Sequence, residues 1–458
     1  MNTVWLAIIV LVAMGFAYRF GTQASRRAAV ASASKLHSLP GHYGMLVALW
    51  LGIPALAVIL LFALFGDAVV RSLVMGALPA DVLALPQAEL LTVMQRIQAL
   101  ASGFGVLGEP AAYEVSAAER LRTLQTTRDL ALVAGVAAAA AAGLVFALRR
   151  ISPSLRARNE VETVVRTLLI ACSTVAILTT VGIVLSLVGE TLRFFSYVSP
   201  IDFFFGTVWN PRFVTVGAGS ADGYGLLPLL WGTVLIAAIA MLVSLPVGLM
   251  IAIYMAEYAP ARLRAVAKPL IEILAGIPTI VYGFFALTIA GPALSNAGAL
   301  VGLDIRATSA LTAGVVMGIM IIPFISSLSD DIITQVPRTM RDGSLGLGAT
   351  RSETIKRVVL PAALPGIVGA FLLAVSRAIG ETMIVVLAAG NAPVLQPNPF
   401  ESVSTVTVTI VKQLTGDIDF ASPQSLVAFA LGLTLFVLTL GLNVLALYIV
   451  RRFREQYE

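Results

Sequence analysis

Residues 364–389 read LPGIVGAFLLAVSRAIGETMIVVLAA, and this stretch decides the fold. A helix rises about 1.5 Å per residue and a bilayer's hydrocarbon core is about 30 Å thick, so about 20 apolar residues make one crossing. The stretch is long enough, and two charges, Arg377 and Glu381, interrupt its apolar run. A charge near the bilayer centre costs roughly 2.5–3.5 kcal/mol on insertion scales, so such residues face a bundle interior or a watery path and point to function. Four residues apart, the two lie on one helix face, where they can form an ion pair.

Eight more runs qualify, at roughly 3–18, 45–66, 129–148, 168–189, 225–255, 268–290, 308–326 and 425–450. The chain as a whole suits a lipid solvent: of 458 residues, 58% are hydrophobic and 12% charged, with mean hydropathy +0.93. The expectation is an all-α integral membrane protein with about nine transmembrane helices. The run Val4 to Tyr18 has no basic region before it and is followed by Arg19, Arg26 and Arg27, as in an uncleaved anchor.

The net charge of +5 does not imply nucleic acid, because the basic residues are scattered between apolar spans rather than gathered on one face. With the N-terminus outside, the inner segments carry 19 Lys and Arg and the outer loops 9, Arg212 among them. The positive-inside rule therefore puts the N-terminus outside and the C-terminus, with the tail from Arg451, in the cytoplasm. Residues 67–128 form the one sizeable soluble insertion, and helical spacing around Glu89 and Ala118 predicts a helical hairpin there. Interpretable polar residues concentrate after residue 150. We therefore divide the chain into a three-span extension (1–150), a fourth span with an outer loop (151–224), a core (225–450) and a tail (451–458).

Several chemistries find no support. The single cysteine, Cys172, excludes an intrachain disulfide and reads as a small packing residue; His37 and His42 have no acid or thiol at ligand spacing. No Gly-Lys pair occurs, so the chain lacks a P-loop and any ATPase must be another polypeptide. No nucleophile elbow is present, and catalysis by this chain is not expected.

Between the spans, residues 342–365 read DGSLGLGATRSETIKRVVLPAALP: a short amphipathic segment, a Gly-rich bend at Gly348, and a second helix expected to end before Leu-Pro. Glu272 lies one turn from Lys268, where a local pair satisfies it. Pro246, Pro278, Pro323 and Pro365 predict bent or interrupted helices, and Glu272 and Pro278 are candidate structural or gating residues.

The 342–365 loop resembles the EAA loop of type I ABC importer permeases. Asp342, Gly343 and Ser344 stand at the Glu-Ala-Ala positions, followed by Gly348 and then Val358, Leu360 and Pro361. Together with residues 204–211 (FFGTVWNP), 227–233 (LPLLWGT), Glu272 to Gly283 and Arg377 to Thr382, it makes residues 190–450 resemble the PstC-type phosphate ABC permeases. The resemblance implies a MetI-like permease core whose loop docks an ATPase, and an oxyanion path using Arg377 and Glu381. It further implies a PstA-type second permease, two PstB-type ATPases that bind ATP and Mg, and a PstS-type receptor in the periplasm of a bacterial inner membrane. Arg suits a tetrahedral oxyanion because its planar fork of donors stays charged. Three readings remain open beside phosphate import: the same architecture for sulfate or molybdate, an ATPase-independent secondary transporter or channel, and a sensory scaffold.

Overall fold

The computed structural model describes residues 3–31, 35–83, 85–106, 108–211, 223–416 and 423–453; Arg212 and Arg454, counted above for orientation, lie outside them. Among the described residues, nine helices are long and apolar enough to cross a membrane, as the apolar runs predict. The chain divides into two compact units, Met1–Leu178 and Thr179–Glu458.

The first unit holds α1 (Thr3–Ala31), α2 (Pro40–Met75), α3 (Ala80–Leu83), α4 (Gln87–Ser102), α5 (Ala112–Arg150) and the start of α6 (Ala157–Phe195). Helices α2 and α5 outrun their apolar cores, because an amphipathic stretch continues each of them into the insertion. There α3 and α4 close a small core of Val70, Val74, Leu78, Ile97, Ala117 and Leu121. Arg96 locks it, giving Nε and Nη2 to the buried Glu114 carboxylate at 2.8 and 3.1 Å. At the other end of α2, Tyr43 is fully buried and its hydroxyl faces the carbonyl oxygens of Ser152, Pro153 and Leu155 at 3.2, 3.4 and 2.9 Å. One phenol proton serves one acceptor at a time, and Leu155 is the nearest. Cys172, read as a packing residue, is exposed on α6, none of whose most apolar window is buried within the chain.

The second unit takes in the rest of α6, then α7 (Pro200–Phe205) and α8 (Leu227–Ile253), which runs on through a π turn, Tyr254–Tyr258. Next come α9 (Ala261–Ala275), α10 (Thr279–Phe285), a π turn at Ala286–Ala290, and α11 (Gly291–Leu300). The expected span 268–290 is thus displaced: Gly276 and Pro278 separate α9 from the membrane helix, which covers Thr279–Leu300. Pro278 caps α10 because it brings no N–H and holds the extended conformation a helix start needs.

Helix α12 (Ala310–Gln335) is the most buried span and runs in the same direction as α8. Gly314 packs on Ile236 and Ile239, Gly318 on Ala240 and Val243, and Gly248 on Ile322 and Ile325, so the contacts advance together along both helices. Small residues let such backbones approach where lipid offers no hydrophobic drive.

After α12 come α13 (Arg338–Gly346), α14 (Arg351–Thr354), a π turn at Ile355–Val359, α15 (Leu360–Gly380), α16 (Met383–Ala388), α17 (Val406–Gly416) and α18 (Pro423–Phe453). Contrary to expectation, the second helix of the 342–365 loop does not end before Leu360-Pro361; it continues as a membrane span to Gly380. The π turn shifts the ladder so that Leu360 N–H bonds Ile355 O just before Pro361, which brings no donor. Pro246, Pro323 and Pro365 likewise sit within continuing helices.

Removing the Tyr43 hydroxyl leaves the part-buried Leu155 carbonyl without that donor, which costs about 1 kcal/mol. Tyr43→Phe is therefore expected to lower the thermal unfolding midpoint of the detergent-solubilised protein, while Tyr18→Phe, at an exposed site, leaves it unchanged.

Candidate functional site

The span quoted first is not one helix. Helix α15 stops at Gly380, Glu381 turns to an extended conformation, and α16 starts at Met383. A break inside a membrane exposes backbone groups that have no water to bond, so protein must satisfy them. The Glu381 carboxylate does so, its Oε1 accepting the N–H groups of Thr382 at 3.1 Å and Met383 at 3.0 Å. The Glu381 carbonyl accepts a hydrogen bond from the Thr407 hydroxyl at 2.9 Å.

This geometry corrects the expected Arg377–Glu381 pair. The four-residue spacing holds only on a continuous helix, and the break turns the carboxylate toward α16. Arg377 remains exposed, its guanidinium carbon 5.6 Å from the ring centroid of Phe324, and no carboxylate among the described residues pairs with it. The contact is a cation–π arrangement, which holds the cation without neutralising it. Phe324 sits midway along α12, a helix about 39 Å long at 1.5 Å per residue, so Arg377, in the last turn of α15, lies beside the middle of α12.

A second constellation gathers where α9 packs against the C-terminal part of α12. Arg264 Nη2 reaches both oxygens of Asp330 at 3.0 and 2.9 Å, and Lys268 Nζ bridges Asp330 and Asp331, at 2.9 Å each. Asp330 is 3% exposed, so two cations surround a buried carboxylate. Lys268 therefore pairs with α12 and not with Glu272, which is exposed and has no ion-pair partner among the described residues. The hydrogen bonds to Asp331 and Asp330 raise the Lys268 ammonium above the ordinary lysine range. A raised lysine stabilises fully below its unfolded value, about 10.4, and loses that effect only as pH climbs beyond it. Lys268 therefore keeps its charge at neutral pH.

Next to it, Arg341 of α13 donates to Glu257 Oε1 at 3.0–3.1 Å and to the last carbonyls of α12, Ile333 and Val336. Arg351 lies over the Tyr258 ring at 5.5 Å. The turn out of α13 has Gly348 at φ +87°, the left-handed region the sharp bend requires. Thr350 then caps α14, its hydroxyl and the Glu353 side chain bonding each other's backbone N–H groups. Ser344 and Thr354 hydroxyls meet at 3.0 Å across the turn. Asp342 and Gly343 are exposed, Leu347 is 92% exposed, Val358 and Leu360 are half-buried, and Pro361 is exposed. The turn is thus pinned from behind while its front presents small and apolar groups.

Sequence reading missed Asp330, Asp331, Arg264, Arg341, Glu257 and Thr407. The adjacent aspartates near the end of an apolar run, and Arg264 four residues before Lys268, were visible signals. Nothing in the sequence paired them.

Two family models match this chain, one described as "Phosphate ATP-binding cassette transporter" over residues 7–179 and one as "Binding-protein-dependent transport system inner membrane component" over 248–455. "Phosphate transport system permease protein PstC" of Mesorhizobium japonicum is 35% identical over 264 residues, 53% of this chain and 76% of that protein. The chain belongs to the PstC family of phosphate transport permeases. A second relative, "Probable ABC transporter permease protein YqgH" of Bacillus subtilis, is 34% identical over 289 residues, 63% of the permease and 90% of that protein. A bacterial alginate ABC transporter structure covers 65% of the permease at 16% identity, with a TM-score of 0.45. The three-span extension, which carried no motif we could interpret, thus has a family model of its own, ending beside the boundary between the two units.

Truncating one partner of a buried ion pair costs roughly 3–5 kcal/mol, less here because Arg264 and Lys268 keep about a third of their side-chain surface in solvent. Asp330→Asn is expected to destabilise the permease by about 2 kcal/mol and Asp331→Asn, at an exposed carboxylate, by under about 0.5 kcal/mol, as read from thermal unfolding.

Proposed function

We infer that this chain is the membrane-spanning permease subunit of an ATP-driven ABC importer that carries inorganic phosphate across the membrane by alternating access. The observation that carries the reading is Arg377, a guanidinium with no carboxylate partner among the described residues, beside a break in its own helix. A phosphate dianion entering a low-dielectric path requires a compensating cation, and Arg377 offers a donor fork that no carboxylate among the described residues occupies. Glu381 shapes that path by holding the break one turn beyond. Weak holding by one ring face suits transit, since a site that binds too well does not release.

The 338–361 turn is the proposed ATPase-docking element, with Asp342, Gly343, Ser344, Gly348 and Leu347 toward the ATPase and Val358, Leu360 and Pro361 leading into the span. Arg341 and Arg351 tie it to α12 and the end of α8, so a push on the turn reaches the helix against which Arg377 lies. In this reading ATP and Mg are bound by a PstB-type ATPase dimer, and this chain binds no cofactor and performs no covalent step. Its other partners are a PstA-type permease, a PstS-type phosphate receptor and membrane lipid. Residues 225–450 form the translocating core, and residues 1–150 an added module. The chain sits in the bacterial inner membrane, N-terminus outside and C-terminus cytoplasmic.

Two measurements test this reading. With the four partner types reconstituted in vesicles, Arg377→Ala is expected to lower phosphate uptake by about 100-fold, as loss of a charge-assisted contact of roughly 3 kcal/mol does, with ATP hydrolysis retained. Unchanged uptake would sink the anion-path role, and sulfate uptake equal to phosphate would sink the substrate. Separately, Leu347→Glu puts a charge into the proposed ATPase contact and is expected to reduce co-purification of the ATPase while the permease folds normally; full recovery of the ATPase would count against docking there.

A further inference from the structure

Between α16 and α17 the chain makes an excursion, residues 389–405, that returns into the bundle. Trp231 Nε1 bonds Gln396 O at 2.7 Å, Gln396 Nε2 bonds Ser402 O at 2.8 Å, and Arg306 pairs with Glu401 at 3.0 Å. Val403 N–H then bonds Ala389 O at 2.9 Å, at the end of α16. Four residues on, Thr407 reaches Glu381, at the start of α16. The stretch 402–409, SVSTVTVT, therefore passes the full length of α16, and all eight of its residues are buried. A buried run in which polar hydroxyls alternate with valine is costly in a membrane protein unless each hydroxyl is used.

Here they are used in order. Thr407 Oγ1 donates to Glu381 O, so the hydroxyl of Thr405, 3.0 Å away, donates to Thr407 and accepts Val408 N–H at 3.3 Å. Val406 N–H is taken by Thr233 Oγ1 of α8 at 3.2 Å, and the Thr233 proton goes to Leu229 O at 2.7 Å. The start of α17 is thus fixed to α8 by Thr233, and to the break in the Arg377 helix by Thr407 alone of these hydroxyls. Ser404 and Thr409 bond within the segment.

We propose that Thr407 is a positioning residue for translocation: its hydrogen bond to the Glu381 carbonyl sets the break beside Arg377 and with it the geometry of the anion path. The proposal rests on the phosphate-path reading above. An ordinary helix carbonyl is satisfied four residues on; at the break this acceptor depends on a side chain from a separate segment, which makes the bond a joint between two elements. The 389–405 segment is itself held, to α8 through Gln396 and to residues 306–311 through the carbonyls of Pro399, Phe400 and Glu401 and the Ser402 hydroxyl, so the joint rests on a fixed anchor.

The test uses the full assembled importer in vesicles, with uptake measured against the concentration of phosphate-loaded receptor. Thr407→Val keeps volume and removes the donor; it is expected to lower maximal uptake about tenfold, with the half-saturating receptor concentration unchanged within about twofold. Thr407→Ser, which restores the donor, is expected to return uptake to within about threefold of wild type. Thr233→Val breaks the tie to α8 but leaves the joint, and is expected to keep uptake within about threefold. Uptake by Thr407→Val within about twofold of wild type overturns the proposal, as does an equal fall in Thr407→Val and Thr233→Val. If Thr407→Val does not assemble, Thr407→Ala replaces it; failure of both to assemble while Thr233→Val assembles makes the bond a folding contact and overturns the role. Arg377→Ala in the same assay separates the readings: normal uptake there removes the anion path itself, whereas loss there with normal Thr407→Val removes only the joint.

Discussion

Backbone amides and carbonyls inside hydrocarbon have no water to bond, and much of the second unit follows from how one interruption of a helix meets that constraint. Between Gly380 and Met383 the ladder stops, and the free groups pass to Glu381 and Thr407 side chains. With the Glu381 carboxylate used in this way, no carboxylate among the described residues pairs with Arg377, which lies against an aromatic ring. One local demand, capping a helix end in a membrane, thereby creates both a pre-positioned cation and a dependence on a segment 26 residues further along the chain.

The loop end of the same unit solves a different problem with charge. A carboxylate as buried as Asp330 needs cations, and it draws α9 against α12 through Arg264 and Lys268. Arg341 gives α12 a C-terminal cap and ties α13 to the end of α8. The two clusters hold four elements in register at the base of the helix that flanks Arg377. Gly248, Gly314 and Gly318 let α8 pack closely on α12 along much of that helix.

Elements without an ionic or proline interruption were readable at once. Runs of about 20 apolar residues predict crossings through a length requirement that tertiary context does not alter, so all nine spans are present. The exceptions lie where a local signal had two solutions. Pro361 read as a stop, yet a π turn accommodates it; Pro278 separates two helices because Gly276 and an amphipathic α9 precede it. Of the candidate site residues, Gly348 was legible as the bend because only glycine takes its backbone angle without strain.

By itself, the sequence determined that this chain belongs in a bilayer, that nine of its runs are long and apolar enough to cross one, that it carries no P-loop motif, and that Arg377 is out of place among its neighbours. These are properties of composition and of spacing along one helix. Only the tertiary structure decided what each charge faces. Arg377 and Glu381 are neighbours in sequence and diverge in space because the helix breaks between Gly380 and Met383; Lys268 passes over nearby Glu272 for Asp330 and Asp331, more than 60 residues away. Long side chains take the partner that folding brings within 3 Å. That distance depends on helix packing and chain reversals, which no local pattern encodes.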